Sequence, residues 1–184
     1  MTEPMKYGQT EFEVHLPPEL IAAELEPNQV DLPQRTTAEH IRWALDHPID
    51  SAPLKELVKA GDKVCVVISD VTRRWQAPDT YLPILIGELE AAGVRDEDIL
   101  ILSATGTHRR QTEEEHIGLV TKPVYDRIRV EDHVCTDQDN LAYVGTTSRG
   151  TPVWLDKRAL ACDKIILTGG VVYHFMAGFG GGED

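Results

Sequence analysis

Apolar positions along the chain follow two spacings, one typical of strands and one typical of helices. Three short runs are continuously apolar, over residues 64–68, 99–102 and 165–167. Such runs are typical of strands that are covered on both faces, so we expect three neighbouring parallel strands. Alternating polar and apolar residues predict a half-buried strand over 11–16, and residues 128–134 are predicted to add another.

Helix-type spacing falls between these strands. Thr36 and Thr112 are each followed three residues later by Glu, which is the spacing of a capping box at a helix start. Helices are predicted over residues 37–46, from Pro53 to Gly61, from an Asp79 cap to Gly93, and over 113–120. The alternation of elements predicts one α/β domain over residues 1–184, with a mostly parallel, Rossmann-like sheet in three layers and helices on both faces.

Composition narrows the classes of partner. The 184 residues carry a formal net charge of −13, which repels phosphate backbones and anionic lipid, so neither nucleic acid nor a membrane is an expected partner. The polar amino terminus has no signal-peptide pattern and no run reaches roughly 18 apolar residues, so we expect a cytoplasmic protein. Three widely spaced cysteines indicate no disulfide framework or zinc site, and Cys65 is expected in the core.

Polar side chains follow each of the three apolar runs, in the loops 69–74, 103–110 and 168–174. Because ligands of open parallel sheets bind beyond the carboxyl ends of the strands, these loops are where we expect the chemistry. Asp70 is suited to orient a base, and the planar guanidinium of Arg73 is suited to a carboxylate or phosphate. The alternative is that Asp70 only forms a turn and Arg73 only lies on the surface.

Two histidines stand in these loops. His108 follows small residues that offer backbone donors, and His174 lies beside Tyr173 after a glycine pair. Imidazoles exchange protons near neutral pH, so the pair suggests an opposed acid and base, although a loop histidine is commonly only solvated. The glycine-rich residues 177–182 suit either a phosphate loop or a flexible end, and the remaining histidines form no metal-binding pattern.

Three motifs follow the apolar runs: Ser69-Asp70-x-Thr72-Arg73, Gly106-Thr107-His108-Arg109 and Gly169-Gly170-x-x-Tyr173-His174-x-x-Ala177-Gly178-Phe179-x-Gly181-Gly182. Taken together, these motifs resemble the lactate racemase family in order, content and spacing. The resemblance covers nearly the whole chain. It implies that this chain corresponds to the first of two α/β domains.

The resemblance implies an isomerase, a racemase of 2-hydroxy acids that uses a nickel-pincer nucleotide. In that family the cofactor takes a hydride from the α-carbon of the substrate and returns it to either face, and the protein supplies positioning and proton transfer. By motif, His108 and His174 are implied to be the acid and base, and Asp70 and Arg73 to orient the base, the substrate or the cofactor phosphate. The other implied binding residues are Thr72, Thr107, Gly169, Gly170 and Tyr173.

The chain departs from the family pattern at its carboxyl end. There the family has an Arg-Lys pair, whose lysine forms the covalent link to the cofactor, and a downstream histidine that completes the nickel site. Glu183 and Asp184 stand at the positions of that pair, so the anchor lysine is missing and no metal ligand is implied within these residues. The second domain, which would close the cleft, is also absent.

Two other classes of function stay open. One is a stand-alone α/β domain that binds a nucleotide or another anion without catalysis. The other is a hydrolase or lyase that uses Asp70, His108 and His174 with a divalent metal. The natural substrate and the oligomeric state are left undetermined by the sequence.

Overall fold

The computed structural model describes residues 2–26, 28–174, 176 and 178–181, and the chain divides into two compact units, residues 1–34 and 35–184. The first unit is an antiparallel hairpin of β1 (Thr2–Tyr7) and β2 (Thr10–His15), followed by a 3₁₀ turn at Pro18–Leu20. The strand predicted over 11–16 is confirmed as β2. Its partner β1 was not predicted, because its sequence is mostly polar and contains Pro4.

The second unit holds the remaining elements. Its helices are α1 (Thr37–Asp46), α2 (Leu54–Leu57), α3 (Pro78–Ala91), α4 (Glu113–Val120), α5 (Lys122–Tyr125) and α6 (Lys157–Leu160), with 3₁₀ segments at Val71–Gln76, Asp96–Asp98 and Gln138–Asn140. Its strands are β3 (Val64–Ser69), β4 (Ile99–Ala104), β5 (Arg129–Asp132), β6 (Leu141–Thr146), β7 (Pro152–Asp156), β8 (Lys164–Leu167), β9 (Val172–His174) and β10 (Gly178–Gly180).

Four strands form a parallel sheet in the order β5-β4-β3-β8. Ser69 at the end of β3 lies beside Ala104 at the end of β4, and Val67 lies beside Leu167 at the end of β8. The three apolar runs are therefore neighbouring parallel strands, as predicted. Their carboxyl ends meet at one edge, which brings the three polar loops together.

The two faces of this sheet are covered unequally. On one face the residues of β3 and β4 pack against the apolar side of α3 and against α4 and α5, forming the main core. On the other face Cys65, Leu100 and Leu102 pack against Ala159 of the short helix α6. The predicted α/β fold with helices on both faces is confirmed. Cys65 lies fully buried, as expected, and burial raises the pKa of its thiol to about 12.

Three local expectations were wrong. The helix predicted from Pro53 to Gly61 is shorter, because α2 ends at Leu57 and Val58 is extended. We expected β8 to be covered on both faces, but Ile165 and Leu167 are 44% and 53% exposed. They share the face of Cys65, where the second layer is thin, and β8 is the edge strand of the described sheet. The predicted Asp79 cap is also wrong, because α3 begins at Pro78 after Ala77, which adopts a left-handed φ of +54°. Asp79 instead lies in the first helical turn.

Both capping boxes are confirmed. The Thr36 hydroxyl accepts from the backbone N–H of Glu39, and the Thr112 hydroxyl accepts from that of Glu115. The helices predicted over 37–46 and 113–120 therefore begin where the local pattern placed them. Among the described residues, no helix is both long enough and apolar enough to cross a membrane.

Two further antiparallel pairs complete the second unit. Strands β6 and β7 form a hairpin with a register irregularity between Tyr143 and Gly145, and β9 pairs with β10. The β9–β10 pair follows β8 directly and carries His174. It therefore extends the edge at which the polar loops meet.

Candidate active site

A cleft of about 560 Å³ opens at the edge where β3, β4 and β8 end. Its walls come from the loops after these strands and from the β9–β10 pair. Seven of the predicted site residues line it: Asp70, Thr72, Arg73, Thr107, His108, Gly170 and His174. Gly169 and Tyr173 are not among its lining residues, and the Tyr173 ring packs edge-on against Phe179 with ring centroids 5.1 Å apart.

Asp70 is a buried carboxylate at the start of the cleft. It caps the 3₁₀ segment after β3: one carboxylate oxygen accepts from the backbone N–H and the hydroxyl of Thr72, at 3.1 and 2.5 Å. Burial acts to raise the pKa of Asp70, but the hydrogen bonds from Thr72 and His108 outweigh it and lower the pKa below its usual value. The group is therefore held as a carboxylate at neutral pH.

His108 is bonded to the second oxygen of Asp70. The distance from its Nδ1 to Oδ2 of Asp70 is 2.5 Å. Because the carboxylate only accepts, Nδ1 carries the hydrogen and the other ring nitrogen, Nε2, is left as the basic atom. The imidazole is half exposed, and Gly106, with φ of +57°, forms the tight turn that brings the His108 N–H onto the carbonyl of Thr105.

His174 reaches the same cleft from the opposite side of β3. It is the last residue of β9, and its Nδ1 accepts from the backbone N–H of Met176 at 3.2 Å. When its ring is neutral, the hydrogen therefore lies on Nε2. The two histidines differ in tautomer, because one Nδ1 donates and the other accepts.

Arg73 supplies positive charge to the cleft. Among the residues that line the described cleft, it is the one arginine or lysine, and its side chain is exposed. Its guanidinium lies 3.4 Å from the Thr72 hydroxyl. That hydroxyl donates to Asp70, so the role of Thr72 as a donor to a ligand stays a prediction.

Glycines allow two backbone segments to approach closely at the cleft. A Cβ on Gly170 would lie 3.0 Å from side-chain atoms of both Trp75 and Gln76. A Cβ on Gly181 would lie 2.3 Å from the Gly170 carbonyl oxygen, and Gly181 has φ of +98°. These segments therefore leave no room for a side chain at either position, and Gly170 and Gly181 line the cleft with backbone alone.

The sequence analysis missed several lining residues. Thr168 directly follows the apolar run 165–167, so its position at a strand end was an available signal. Its hydroxyl donates to the Val67 carbonyl at 2.9 Å and lies 2.8 Å from the Tyr81 hydroxyl. Trp75 gave no signal, since it is a single exposed aromatic residue in a 3₁₀ segment.

The donor set of the cleft fits an anionic ligand. The guanidinium of Arg73 suits the phosphate of a nucleotide or a carboxylate. In the described part of the chain no group of three or more His, Cys, Asp or Glu side chains is placed to hold a metal ion. Glu183 and Asp184, at the positions of the expected anchor pair, lie outside the described residues.

Comparison with known proteins points to one family. Residues 7–184 match the family described as the lactate racemase N-terminal domain. The lactate racemase of Lactiplantibacillus plantarum is 33% identical over 146 residues, which cover 79% of this chain and 34% of that protein. The lactate racemase of Thermoanaerobacterium thermosaccharolyticum is 28% identical over 178 residues, which cover 96% of this chain and 41% of that protein.

The fold gives the same result. The structure of the lactate racemase apoprotein from Thermoanaerobacterium thermosaccharolyticum superimposes with a TM-score of 0.80 at 27% identity, over 98% of this chain and 41% of that one. A protein from Thermotoga maritima follows with a TM-score of 0.61 at 25% identity, over 78% of this chain and 36% of that one. This chain thus spans roughly two fifths of the length of these relatives or less. Because the match covers nearly every residue from 7 onwards, the chain belongs to the lactate racemase N-terminal domain family.

Proposed function

We propose that this chain is the amino-terminal domain of a racemase or epimerase of small 2-hydroxy acids that works with a nickel-pincer nucleotide. The observation that carries the proposal is the Asp70–His108 pair, whose basic nitrogen belongs to a cleft that His174 also lines. The family to which the chain belongs, and the lactate racemases that it resembles, support the substrate class.

His108 takes the proton from the substrate hydroxyl in this proposal. Its neutral form bonds to Asp70 through Nδ1, so Nε2 is available to accept that proton. The imidazolium that forms is stabilised by the adjacent carboxylate, whose lowered pKa keeps it charged. Asp70 thus orients the ring so that Nε2 faces the substrate hydroxyl in this proposal.

His174 serves the opposite face of the substrate. The parallel sheet has β3 between β4 and β8, so the segments that carry the two histidines flank β3 from its two sides. The configuration of the product depends on which face of the planar 2-keto acid receives the hydride at its α-carbon, and the two orientations of the acid present its carbonyl oxygen to opposite sides. A histidine on each side then exchanges the hydroxyl proton of one enantiomer.

Arg73 and the glycine backbone bind the anionic groups. Arg73 offers a planar fork to the substrate carboxylate or to a cofactor phosphate, and Gly170 and Gly181, which line the cleft without side chains, are proposed to lie against the bound ligand. When bound, the nickel-bearing nucleotide supplies the hydride acceptor and donor for the α-carbon. Thr72, Thr107, Gly169 and Tyr173 are proposed to complete the binding of substrate and cofactor.

The activity is tested on the protein isolated from its native source and supplied with the cofactor. Interconversion of D- and L-2-hydroxy acids is followed by chiral chromatography. His108→Ala and His174→Ala are each expected to lower kcat by about 100-fold or more, the usual contribution of a general acid or base. Rates within a few-fold of the parent for either variant would contradict the assigned roles.

The domain arrangement is proposed separately. We propose that residues 1–184 form one domain of a longer protein and that a second domain closes the cleft, excluding water from the reaction. The intact mass of the native protein tests this, since a mass well above the 20.5 kDa of this chain is expected. A mass of about 20.5 kDa would overturn it.

One observation favours a second candidate, a domain that binds a nucleotide without turnover. Glu183 and Asp184 replace the Arg-Lys pair that the family uses for the covalent anchor, and a carboxylate cannot form that bond. Reversible binding of a pyridinium mononucleotide by calorimetry, with no racemisation by the native protein, would support this candidate over the first.

A further inference from the structure

Gln111 lies just beyond the loop that carries His108, and its polar groups are fully engaged. Its side-chain oxygen accepts from the backbone N–H of Val71 at 2.7 Å. Its side-chain nitrogen donates to Ser103 and to Asp132, at 2.8 Å each, and its backbone N–H donates to Asp132 at 2.7 Å. The amide orientation is fixed, because a flipped amide would place N–H against N–H and oxygen against carboxylate.

These contacts join three strand ends. Val71 is the residue after Asp70 at the end of β3, Ser103 is the second-last residue of β4, and Asp132 ends β5. The loop with His108 begins after Ala104 and leads to Gln111, so one side chain closes this loop and connects it to the backbone next to Asp70.

Asp132 accepts hydrogen bonds from both the backbone and the side chain of Gln111. It is buried, and one of its oxygens also lies 2.8 Å from Nε2 of His116 on α4. Burial acts to raise the pKa of Asp132, but hydrogen bonds from Gln111 and His116 outweigh it and lower the pKa. A permanent carboxylate at this place keeps the Gln111 amide nitrogen facing it.

We propose that Gln111 is a positioning residue that acts through Asp70 and His108, holding the carboxylate and the imidazole at bonding distance. Its effect on catalysis rests on the proposed role of His108. The effect of Gln111 on the geometry of the Asp70–His108 pair does not depend on that role, so the effect on geometry and the effect on catalysis are measured separately.

The first measurement is made on the 184-residue chain without cofactor. Ring nitrogen shifts of His108, recorded by ¹⁵N-detected NMR, report whether Nδ1 carries the hydrogen and is bonded. Gln111→Glu keeps the shape but replaces the donor to Ser103 and Asp132 by an acceptor. Gln111→Met removes the hydrogen bonds without burying a charge. Gln138→Glu, at an exposed site in a 3₁₀ segment, is the matched control for the charge change.

In the Gln111 variants we expect the His108 ring signals to move to those of a mixture of tautomers, while the control keeps the parent signals. Urea unfolding identifies variants that remain folded, and Gln111→Met decides the question if Gln111→Glu does not fold. Parent-like His108 signals in a folded Gln111 variant would overturn the proposal.

The second measurement separates this proposal from the proposed function. In the cofactor-loaded native protein, Gln111→Met is expected to lower kcat by about tenfold with KM changed by less than about twofold, because the base is misplaced while Arg73 still binds substrate. If the parent does not racemise, the proposed function fails and the NMR result still decides the role of Gln111. If the parent racemises and Gln111→Met leaves both kcat and the His108 signals unchanged, only the positioning role is overturned.

Discussion

His108 and His174 line one cleft, but the segments that carry them are built differently. The His108 loop is closed by Gln111 and bonded to the ends of three strands, and its imidazole has a carboxylate partner at 2.5 Å. His174 ends a three-residue strand that pairs with another three-residue strand, and Tyr173 and Phe179 on that pair are 73% and 80% exposed. One side of the proposed reaction is thus held by hydrogen bonds to the ends of the sheet, whereas the strand pair on the other side has exposed aromatic side chains.

The sheet shows a similar contrast between a buried strand, β4, and a partly exposed strand, β8. Substitutions in these two strands give the largest expected effect on stability. Ile101 on β4 is fully buried, whereas Ile165 on β8 is 44% exposed. Replacing Ile101 by Ala is expected to lower the free energy of unfolding by about 4 kcal/mol. Ile165→Ala should lower it by about 1 kcal/mol, since less apolar area is lost from the interior. Urea unfolding measures both, and equal losses would show that β8 is covered in solution.

A substitution in the Asp70–His108 pair tests whether the carboxylate organises the His108 side of the cleft. Asp70→Asn removes the charge that holds and stabilises the His108 imidazolium, so kcat should fall by about 100-fold, or about 2.7 kcal/mol. The control is Asp139→Asn, which removes a carboxylate from an exposed site. Steady-state rates of the cofactor-loaded native protein provide the measurement, and a loss below threefold would argue against the pair.

A pH experiment tests the hydrogen-bonded network that Asp156 forms with Arg158 and His133. The Asp156 carboxylate is buried and hydrogen-bonded to Arg158 and His133. Burial acts to raise the pKa of Asp156, but these hydrogen bonds outweigh the effect of burial and lower the pKa to about 2. Asp156→Asn should cost about 2 kcal/mol at pH 7.

Because the folded pKa of Asp156 is depressed, its stabilisation is complete above the ordinary carboxyl range and disappears as the pH falls towards 2. The difference in unfolding free energy between parent and Asp156→Asn should therefore shrink from pH 5 downwards. A difference that stays constant to pH 2 would show that the carboxylate charge is not what stabilises the fold.

The smallest expected effect concerns the wall formed by Thr168. Since the Thr168 hydroxyl donates to the Val67 carbonyl, the Tyr81 hydroxyl must be the donor to Thr168. Tyr81→Phe removes that bond and should cost about 1 kcal/mol in unfolding free energy. Tyr7→Phe, at a tyrosine that is 74% exposed, is the comparison variant. Urea unfolding with no difference between the two would show that the bond contributes nothing.

Local patterns predicted the elements whose causes are local. The capping boxes at Thr36 and Thr112 fixed the starts of α1 and α4, because the hydrogen bonds that form them span only three residues. The start of α3 was misplaced, because Ala77 takes a left-handed conformation that the sequence does not signal. The thin second layer over β8 was also missed, since an apolar run has the same appearance whether or not a helix covers it.

The candidate site likewise contains residues that the local sequence predicted and residues that it did not. Asp70 and His108 were found because each follows a buried strand, and their pairing follows from the in-register alignment of β3 with β4. Gln111 and Asp132 were not found, because their bonds connect residues 21 to 40 positions apart. His116 is among the remaining histidines, which form no metal-binding pattern, and only the fold places it against Asp132.

Modification of the fully buried Cys65 thiol reports how often the parallel sheet opens. A thiol whose pKa is raised to about 12 reacts with disulfide reagents only after the central strand β3 is exposed, whereas Cys135 is exposed and reacts at once. Cys162 is half-buried and burial raises the pKa of its thiol too, so only the slowest phase of thiol modification counts openings of the sheet beneath the cleft. It does so at any stage of cofactor loading and needs no substitution.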